Sequence, residues 1–188
     1  MRRQGRYGLP APGATACTSK PSSLKQHLIS SVKELQRSPD KVLVFMDDGN
    51  VVCSSAPGLS FEYRYTLKLI ITDFAGQPDG VFIPLLAWVG ENQRELLDNY
   101  EQRQDAIAFN AEVLANDLVD IEISLPLTER AIVSTQPGGE LSVSHPPEPQ
   151  QEPFLPAGTY QLRDASNELL AEWQSGAPSP GYGSTVDD

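Results

Sequence analysis

Two long stretches of alternating side chains constrain the fold of this chain more than any other feature. Residues 60–74 read SFEYRYTLKLIITDF, and residues 118–133 read LVDIEISLPLTERAIV. Apolar side chains hold every second position from Phe61 to Ile71 and from Val119 to Leu127, and polar side chains fill most of the gaps. Because successive side chains of a strand point to opposite faces, each stretch predicts a long strand with one apolar face. Such strands are typical of an extended antiparallel ribbon.

Two helices are expected beside these strands. A serine after Pro21 is predicted to cap the first helix. Its apolar side chains recur at helical spacing at Leu24, Leu28, Val32 and Leu35. Residues 38–40 (SPD) are predicted to end it. The apolar run at 81–89 (VFIPLLAWV) predicts a buried helix that reaches about residue 99, with Pro84 in its first turn and Trp88 in the core. A strand is the alternative for this run, since proline is awkward in either structure.

Shorter strands are predicted on both sides of the helices. Residues 41–46 (KVLVFM) form a strand, 47–50 (DDGN) a turn, and 51–53 (VVC) the returning strand of a hairpin. Residues 106–114 alternate as a further strand, and 115–117 (AND) turn the chain into the second long strand. Pro126 within that strand predicts an edge position or a bulge.

The domain organisation follows from these elements. We expect a flexible basic arm at 1–21, an α+β domain at 22–135, a Pro-rich linker at 136–153, a C-terminal β-hairpin at 154–173 and a disordered tail at 174–188. An isolated hairpin is only marginally stable, so this one needs a surface to pack on. The predicted fold class is α+β, with an antiparallel or mixed sheet whose two long amphipathic strands pack against two helices.

The charge of the chain is strongly acidic and unevenly distributed. The formal net charge is −11, yet residues 1–41 carry eight Lys/Arg and two acids, whereas residues 91–122 carry nine acids and two arginines. Because DNA binding requires cations to neutralise phosphates, the body of the protein is expected to repel DNA. The basic arm is interpreted as a solvated arm, with contact to phosphate or to an acidic partner as the alternative.

The sequence also limits where the protein can reside. No stretch approaches the length of a membrane span, and the N-terminal residues lack the apolar region of a secretory signal. The two cysteines, Cys17 and Cys53, do not form a disulfide framework, so a reducing cytoplasm is the expected compartment. No membrane contact is predicted.

Few residues suggest catalysis. His27 lies in a predicted helix and His145 in the linker, so a shared role is not expected. Asp47 and Asp48 could bind a cation, but adjacent acids before a glycine are far more often turn formers. The acids at 73 and 79 flank one loop and are interpreted as solvated, the latter favouring a helix N-terminus. We predict no catalytic, cofactor-binding or metal-binding residue, and no cofactor.

Interaction with other protein chains has more support, since long two-faced strands and open sheet edges are templates for pairing. Tyr63 and Tyr65 are nevertheless interpreted first as core residues and second as interface residues. The predicted subunit or partner interface comprises Phe61, Tyr63, Tyr65, Pro126, Thr128, Arg130, Tyr160 and Trp173.

Three segments carry a resemblance to a known family. They are residues 60–74, residues 81–96 (VFIPLLAWVGENQREL) and residues 117–133 (DLVDIEISLPLTERAIV); residues 145–150 (HPPEPQ) and the hairpin ending at Trp173 add to them. Together they resemble tail completion protein R of temperate contractile-tailed bacteriophages, over residues 22–174. The phrases LxITDF and LxLTERxxV are specific when taken together, and neither is a catalytic motif.

The resemblance implies a non-enzymatic role in a bacteriophage virion, with assembly in the host cytoplasm. The order of predicted elements is similar to that of tail terminator proteins, which form rings, commonly hexamers, at the head-proximal end of the tail tube. That similarity implies self-association, contact with tail tube, tail sheath and head-completion or neck proteins, an end to tail polymerisation, and a docking surface for the head.

A ring of this kind must let DNA pass without binding it tightly, and acidic side chains would serve that purpose. The predicted channel surface comprises Glu91, Glu95, Asp98, Glu101, Asp105, Asp120 and Glu122. Two alternatives stay open: a connector or adaptor on the head side, and a small hydrolase using Asp47, Asp48 or Asp73 with a metal.

Overall fold

The computed structural model describes residues 19–53, 58–98, 106–149 and 152–176, and it has the predicted α+β fold. The arm up to residue 18, the tail from residue 177, and Cys17, Glu101 and Asp105 lie outside the described residues. In chain order the elements are α1 (Ser19–Ser31), α2 (Lys33–Arg37), β1 (Val42–Cys53), β2 (Phe61–Phe74), α3 (Asp79–Asn92), α4 (Glu95–Asp98), β3 (Ala108–Val113), β4 (Val119–Thr135), β5 (Leu141–Ser144), β6 (Gly158–Arg163) and β7 (Leu169–Ser175).

The two predicted long strands are the centre of the main sheet. β2 has 14 residues and β4 has 17, and they pair antiparallel from Phe61 opposite Ala131 to Phe74 opposite Val119. The strand order is β1-β2-β4-β3, with β5 also paired to β4, and every pairing is antiparallel. The predicted ribbon is thereby confirmed.

Alternation gives the sheet an apolar inner face, which packs on the helices, and a polar outer face. On the inner face of the long strands, the buried large apolar side chains include Tyr65, Leu67, Leu69, Ile71, Ile121, Ile123, Leu125 and Leu127. They pack against α1, α2 and α3 through Leu24, Leu28, Leu35, Val81, Leu85 and Trp88. The predicted core positions of Trp88 and of the first helix are confirmed.

The predicted hairpin at residues 41–53 is wrong. β1 is one strand that pairs with β2 on both sides of a bulge, where the register shifts between Asp47 and Asn50. Asp48 takes a φ of +51°, in the left-handed region that Asp tolerates better than most residues. The turn-forming sequence therefore makes a bulge in β1 and does not reverse the chain, because β2 is long enough to pair with both halves of β1.

Both helices differ from the prediction at their ends. α1 begins at Ser19, before the predicted serine cap, and it gives way to α2 at Val32, whose extended backbone (ψ 117°) bridges to Ala171 of β7. The strand alternative for residues 81–89 is wrong, since α3 is a helix. It begins at Asp79, so that Pro84 lies inside the helix beyond its first turn, and it ends at Asn92, well short of residue 99.

The strand at residues 106–114 and the turn after it are confirmed in β3 and in the left-handed Asn116 and Asp117. Pro126 has the predicted edge position. β3 pairs with β4 only up to Ser124, and β5 begins to pair at Ile132, so the side of β4 away from β2 is open between them among the described strands. The missing N–H of proline costs no ladder hydrogen bond there.

The C-terminal hairpin forms from β6 and β7 and packs on the helices of the same chain. Ala171 and Trp173 are buried together with Ala87 of α3. The sequence did not predict β5, which lies within residues 136–153 and returns antiparallel along the end of β4. No helix among the described residues is both long enough and apolar enough to span a membrane.

Candidate interaction surfaces

One of the acids that could have served a metal is held by a lysine. Asp47 pairs with Lys68 at 3.0 Å, and this hydrogen bond and charge raise the pKa of Lys68. The backbone N–H of Asp73 donates to Asp120 at 2.7 Å. Among the described residues no three potential metal-ligating side chains cluster. Asp48 and Asp73 have left-handed φ angles and lie at the register shifts of β1 and β2, so the turn predicted at Asp48 is a bulge within a strand.

The two histidines have different surroundings. His27 lies on α1, with Nε2 3.1 Å from the Pro84 carbonyl oxygen of α3. Burial lowers the pKa of His27, although the Pro84 carbonyl and the charge of Glu91 favour its protonated form. His145 follows β5, and its Nδ1 lies 3.5 Å from a carboxylate oxygen of Glu129 on β4. The structure therefore gives no shared catalytic role to this pair.

A polar cluster lies where the inner face of β4 approaches the open part of its edge. It comprises Lys20, Tyr65, Gln93, Thr128, Glu129, His145 and Glu148, and joins α1, the end of α3, β2, β4 and the chain after β5. Glu129 is only 2 % exposed, although it continues the apolar alternation of β4. Burying a carboxylate is costly unless polar groups surround it. The backbone N–H of Lys20 donates to the Glu129 carboxylate at 3.5 Å, and the Tyr65 hydroxyl donates to it at 3.4 Å.

Lys20 is the centre of the hydrogen bonds in this cluster. Its Nζ donates to Gln93 Oε1 at 2.7 Å, to the Thr128 carbonyl oxygen at 2.7 Å and to Glu148 Oε1 at 2.8 Å. A lysine ammonium has three N–H donors, so all of them are used. The Thr128 N–H donates to Gln93 Oε1 at 3.2 Å. The side chains of Lys20 and Gln93 thereby form hydrogen bonds with the C=O and N–H of Thr128, in the part of β4 between its pairings with β3 and β5.

The predicted interface residues fall into three groups. Tyr65 and Thr128 belong to the polar cluster, and the ring of Tyr63 stacks on His145 with centroids 6.4 Å apart. Phe61 packs edge-on against Tyr63, and Tyr160 stacks on Trp173 within the C-terminal hairpin. Pro126 and Arg130 are exposed. Because Tyr65 and Trp173 are buried within the chain, they are not available to a partner.

The predicted channel acids lie in two separate places. Glu91, Glu95 and Asp98 are on α3 and α4, where Glu91 accepts from Ser175 at 2.6 Å and Asp98 pairs with Arg94 at 3.2 Å. Asp120 and Glu122 are on β4, with their side chains on the outer face of the sheet. Glu112 of β3 lies directly opposite Asp120 and adds to this second group.

Both edges of the main sheet expose apolar side chains. Leu43 and Phe45 of β1 are 42 % and 48 % exposed, and Phe109 and Val113 of β3 are 57 % and 77 % exposed. The predicted alternation in β3 is present, but its apolar side chains are not buried under helices. Phe109 contacts only the rim of the helix layer, edge-on to Phe82 with centroids 5.0 Å apart.

The sequence analysis missed the polar cluster, although one signal for it was available. In residues 125–131 (LPLTERA), Glu129 occupies a position that alternation assigns to the apolar face. An acid there indicates a buried polar partner. Its surroundings come from Lys20 and His145, which lie far away in the sequence, and no local pattern connects them.

Comparison with known proteins relates this chain to one protein family. Residues 18–149 match the P2 phage tail completion protein R (GpR) family. The chain is also similar to tail completion protein R of Escherichia phage P2, with 40 % identity over 158 residues that cover 82 % of this chain and 97 % of the relative. No solved structure matches the chain. The matched residues 18–149 include the whole main sheet and the polar cluster.

Proposed function

The chain belongs to the P2 phage tail completion protein R family, and we propose that it completes the tail as a ring capping the head-proximal end of tail tube and sheath. Family membership makes it a bacteriophage tail completion protein and a structural component of the virion tail. The ring, which we propose is a hexamer, would stop tail polymerisation and present a docking surface to the head. The 40 % identity across nearly the whole relative is the observation that carries this proposal.

The fold supports an assembly role. A closed ring needs two different surfaces on each subunit that fit each other, and the main sheet ends in two different strands, β1 and β3, among the described residues. The sheet is held on a rigid apolar core, so these surfaces keep a fixed geometry. The expected partners are further copies of this chain, the tail tube protein, the tail sheath protein and a head-completion or neck protein.

Exposed residues of the outer face are suited to the contacts with other tail proteins. Arg130 lies opposite Glu62 across the β2–β4 ladder, on the face away from the helices, and the exposed Pro126 lies four residues earlier on the same face of β4. Phe61 and Tyr63 lie at the same end of the ladder and are partly accessible. We propose that this end of the sheet contacts the tail tube.

The acidic outer face suits a channel that DNA crosses. Asp120, Glu122 and Glu112 are neighbours there, and the nearby Lys68 is paired with Asp47, so this part of the face offers DNA little positive charge. The change Glu122→Lys is expected to slow DNA ejection from assembled phage while particle yield stays the same. We propose the group on β4 and β3 alone as the channel surface, so the matched control is Asp98→Lys on α4, from the other predicted group, which is expected to leave ejection unchanged. Equal ejection rates for both variants would contradict the channel assignment.

Light scattering after size exclusion tests the proposed ring. The purified protein is measured alone and after mixing with its tail tube protein, and tube length is followed by electron microscopy. A closed oligomer in either sample, together with tubes that stop growing when the protein is added, is expected. A monomer that neither binds nor shortens tubes would contradict the ring, and capture of a head-completion protein instead would assign the chain to the head side.

A further inference from the structure

We propose that each copy of this chain packs the solvent-facing side of α3 onto the far end of the inner sheet face of a second copy. One surface, the α3 surface, comprises Phe82, Ile83, Leu86 and the adjoining Phe109 of β3. The other, the sheet-end surface, comprises Phe61, Val133, Leu141 and Val143. This inference rests on the proposed self-association and names the surfaces that would produce it.

The solvent-facing side of α3 is apolar. Residues 80–90 include no charged side chain, and the indole N–H of Trp88 donates to the Ser23 hydroxyl at 3.1 Å. The opposite side of the helix packs on the sheet, yet Ile83 and Leu86 are 39 % and 41 % exposed. A helix that is apolar on every side is typical of a helix that is covered on every side. The exposed side of α3 is therefore expected to have a partner.

β3 enlarges this surface. The ring of Phe109 lies edge-on to Phe82 with centroids 5.0 Å apart, and Phe109 is 57 % exposed. Phe82 and Leu86 are four residues apart, and Ile83 and Leu86 are three apart, so all three lie on one side of the helix. The α3 surface is therefore continuous from the helix to β3, and it includes no charged side chain.

The sheet-end surface lies beyond the helix layer. On β4 the apolar core that joins the sheet to the helices reaches Leu127 and does not include the side chains of the sheet-end surface. Val133 lies six residues after Leu127 and pairs with Val143, so both valines are on the inner face. Leu141 and Val143 are 50 % and 58 % exposed, and Phe61 is partly exposed. The inner face thus continues past the helices with apolar side chains that no described helix covers.

The two surfaces are too far apart to meet within one copy. Phe109 pairs with Ile123, and Val143 pairs with Val133, and these two positions of β4 are ten residues apart. At about 3.4 Å per residue they are separated by roughly 34 Å along the strand. Two different surfaces that fit each other give a head-to-tail contact, which can repeat from copy to copy until a ring closes.

Packing of a helix on the sheet already covers the other half of the same inner face. Within one copy, Val81 and Leu85 of α3 are fully buried in the core that includes this face. In the proposed contact α3 lies between two sheets, its own and that of the neighbour, and neither surface brings a charge into the interface. The outer face at this end of the sheet, with Pro126 and Arg130, remains accessible to the tail tube.

The size of the contact suits a ring better than an isolated pair. If a fully exposed large apolar side chain offers on the order of 100 Å², four partly exposed side chains give each surface about 200 Å². Specific interfaces bury about 800 Å² per partner, with a polar rim around an apolar centre. The apolar centre proposed for this contact is small, and a closed ring strengthens it because every copy makes the contact twice.

A charge placed in either surface tests the contact. Leu86→Glu and Val143→Glu should each weaken self-association at least tenfold, because a carboxylate would be buried without a partner. The matched control is Leu43→Glu, at a position of the outer face that is 42 % exposed, and it should associate like wild type. Association is measured by sedimentation of the free protein, or from the concentration that caps tubes if the ring forms only there. Thermal unfolding of each variant checks that the subunit remains folded.

Cross-linking identifies the two surfaces directly. In a background with both native cysteines changed to serine, copies carrying Leu86→Cys are mixed with copies carrying Val143→Cys and treated with a short bismaleimide. A cross-link between the two kinds of copy is expected, with none when either kind is treated alone. A cross-link between copies that all carry Leu86→Cys would mean that α3 pairs with itself, and it would overturn the head-to-tail contact.

The outcomes separate this inference from the proposed ring. If the protein oligomerises and caps tubes while Leu86→Glu associates like wild type and the cross-link is absent, the two surfaces are wrong and the ring stands. If Leu86→Glu forms the oligomer but no longer binds tubes, the α3 surface belongs to the tail tube protein, which also overturns the inference. A protein that is monomeric with and without tubes overturns both proposals.

Discussion

The two halves of the β2–β4 ladder are held in place by different forces. In one half Leu67, Leu69, Ile123 and Leu125 have no exposed surface, and they pack on the helices. In the other half the same face of the sheet carries Glu129, which is surrounded by the polar cluster. Apolar packing tolerates small rearrangements of the side chains, whereas a buried carboxylate requires hydrogen-bond donors or a cation at defined positions around it. The first half provides stability, and we infer that the second determines how the helices and the chain after β5 dock on the sheet.

This comparison bears on assembly, because the polar half lies beside the open part of the β4 edge. Lys20 and Gln93 satisfy the N–H and C=O groups of Thr128 that another strand would otherwise use. The polar cluster therefore closes this part of the sheet edge. Such protection matters in a protein that assembles, since an unprotected strand edge can pair with the wrong partner.

The largest effect is expected in the apolar half. The change Leu69→Ala removes a fully buried side chain between the helices and the centre of β2. Loss of buried apolar surface and the resulting cavity should lower the free energy of unfolding by about 2–5 kcal/mol. Urea unfolding followed by tryptophan fluorescence measures this value. Leu59→Ala, at a residue 65 % exposed, is the matched control, and equal losses for the two variants would contradict the central role of the apolar half.

The same comparison shows what the sequence could and could not predict. Alternation predicts β2 and β4, since a long strand with one buried face leaves a local pattern. The bulge of β1 was mistaken for a turn because Asp47–Asn50 has turn-forming residues, and only the length of β2 decides between the two structures. β5 leaves only a short alternation, Leu141 to Ser144, and its four residues are all exposed and are held by pairing with β4.

The polar half was the least predictable region, for a physical reason. The apolar core depends on residue classes repeated along one strand, whereas the polar cluster depends on individual atoms from five segments of the chain. Lys20 and Thr128 are separated by 108 residues, and Lys20 and Glu148 by 128. Composition and spacing contain no information about such contacts. The buried position of Glu129 in β4 was the single local indication.

A smaller effect is expected when the polar half is broken. The change Lys20→Met keeps the length of the side chain but removes three hydrogen bonds, and it leaves the Thr128 carbonyl without its lysine donor. An unsatisfied buried polar group should lower the free energy of unfolding by about 1–3 kcal/mol. The control is Lys33→Met at an exposed position of α2. If the two variants unfold at the same urea concentration, the cluster contributes nothing to stability.

Loss of the cluster should also release the chain that follows β5. Because Glu148 and His145 are held there through Lys20 and Glu129, hydrogen exchange near residues 141–149 should become faster in Lys20→Met. Exchange in the centre of β2 should remain slow at the same denaturant concentration. A uniform increase over both regions would mean that the two halves of the ladder are not distinct.

The pH dependence of unfolding tests a contact within the helix layer, independently of both halves of the β2–β4 ladder. Burial lowers the pKa of His27, so the unfolded chain binds a proton more readily than the folded protein. Stability should therefore be greatest above the unfolded pKa of about 6.5 and fall as the pH decreases towards the lower folded pKa. His27→Gln should flatten this part of the pH profile of unfolding, and Gln26→Ala, an exposed neighbour on α1, should not. Identical slopes in wild type and His27→Gln would contradict the role of this histidine.

The smallest effect is expected for the charge of Glu148. Its carboxylate is partly exposed, and Lys20 Nζ is also held by the neutral oxygens of Gln93 and Thr128. Glu148→Gln keeps an acceptor oxygen and removes only the charge, so the loss should be at most about 1 kcal/mol. It should shrink further in 1 M salt, which screens exposed charges. A loss as large as that of Lys20→Met, unchanged by salt, would mean that a single ion pair holds the polar half. A small loss would instead mean that the polar half is stabilised mainly by the hydrogen bonds that Lys20 and Gln93 make to the backbone of Thr128. This result would agree with a cluster that closes a strand edge.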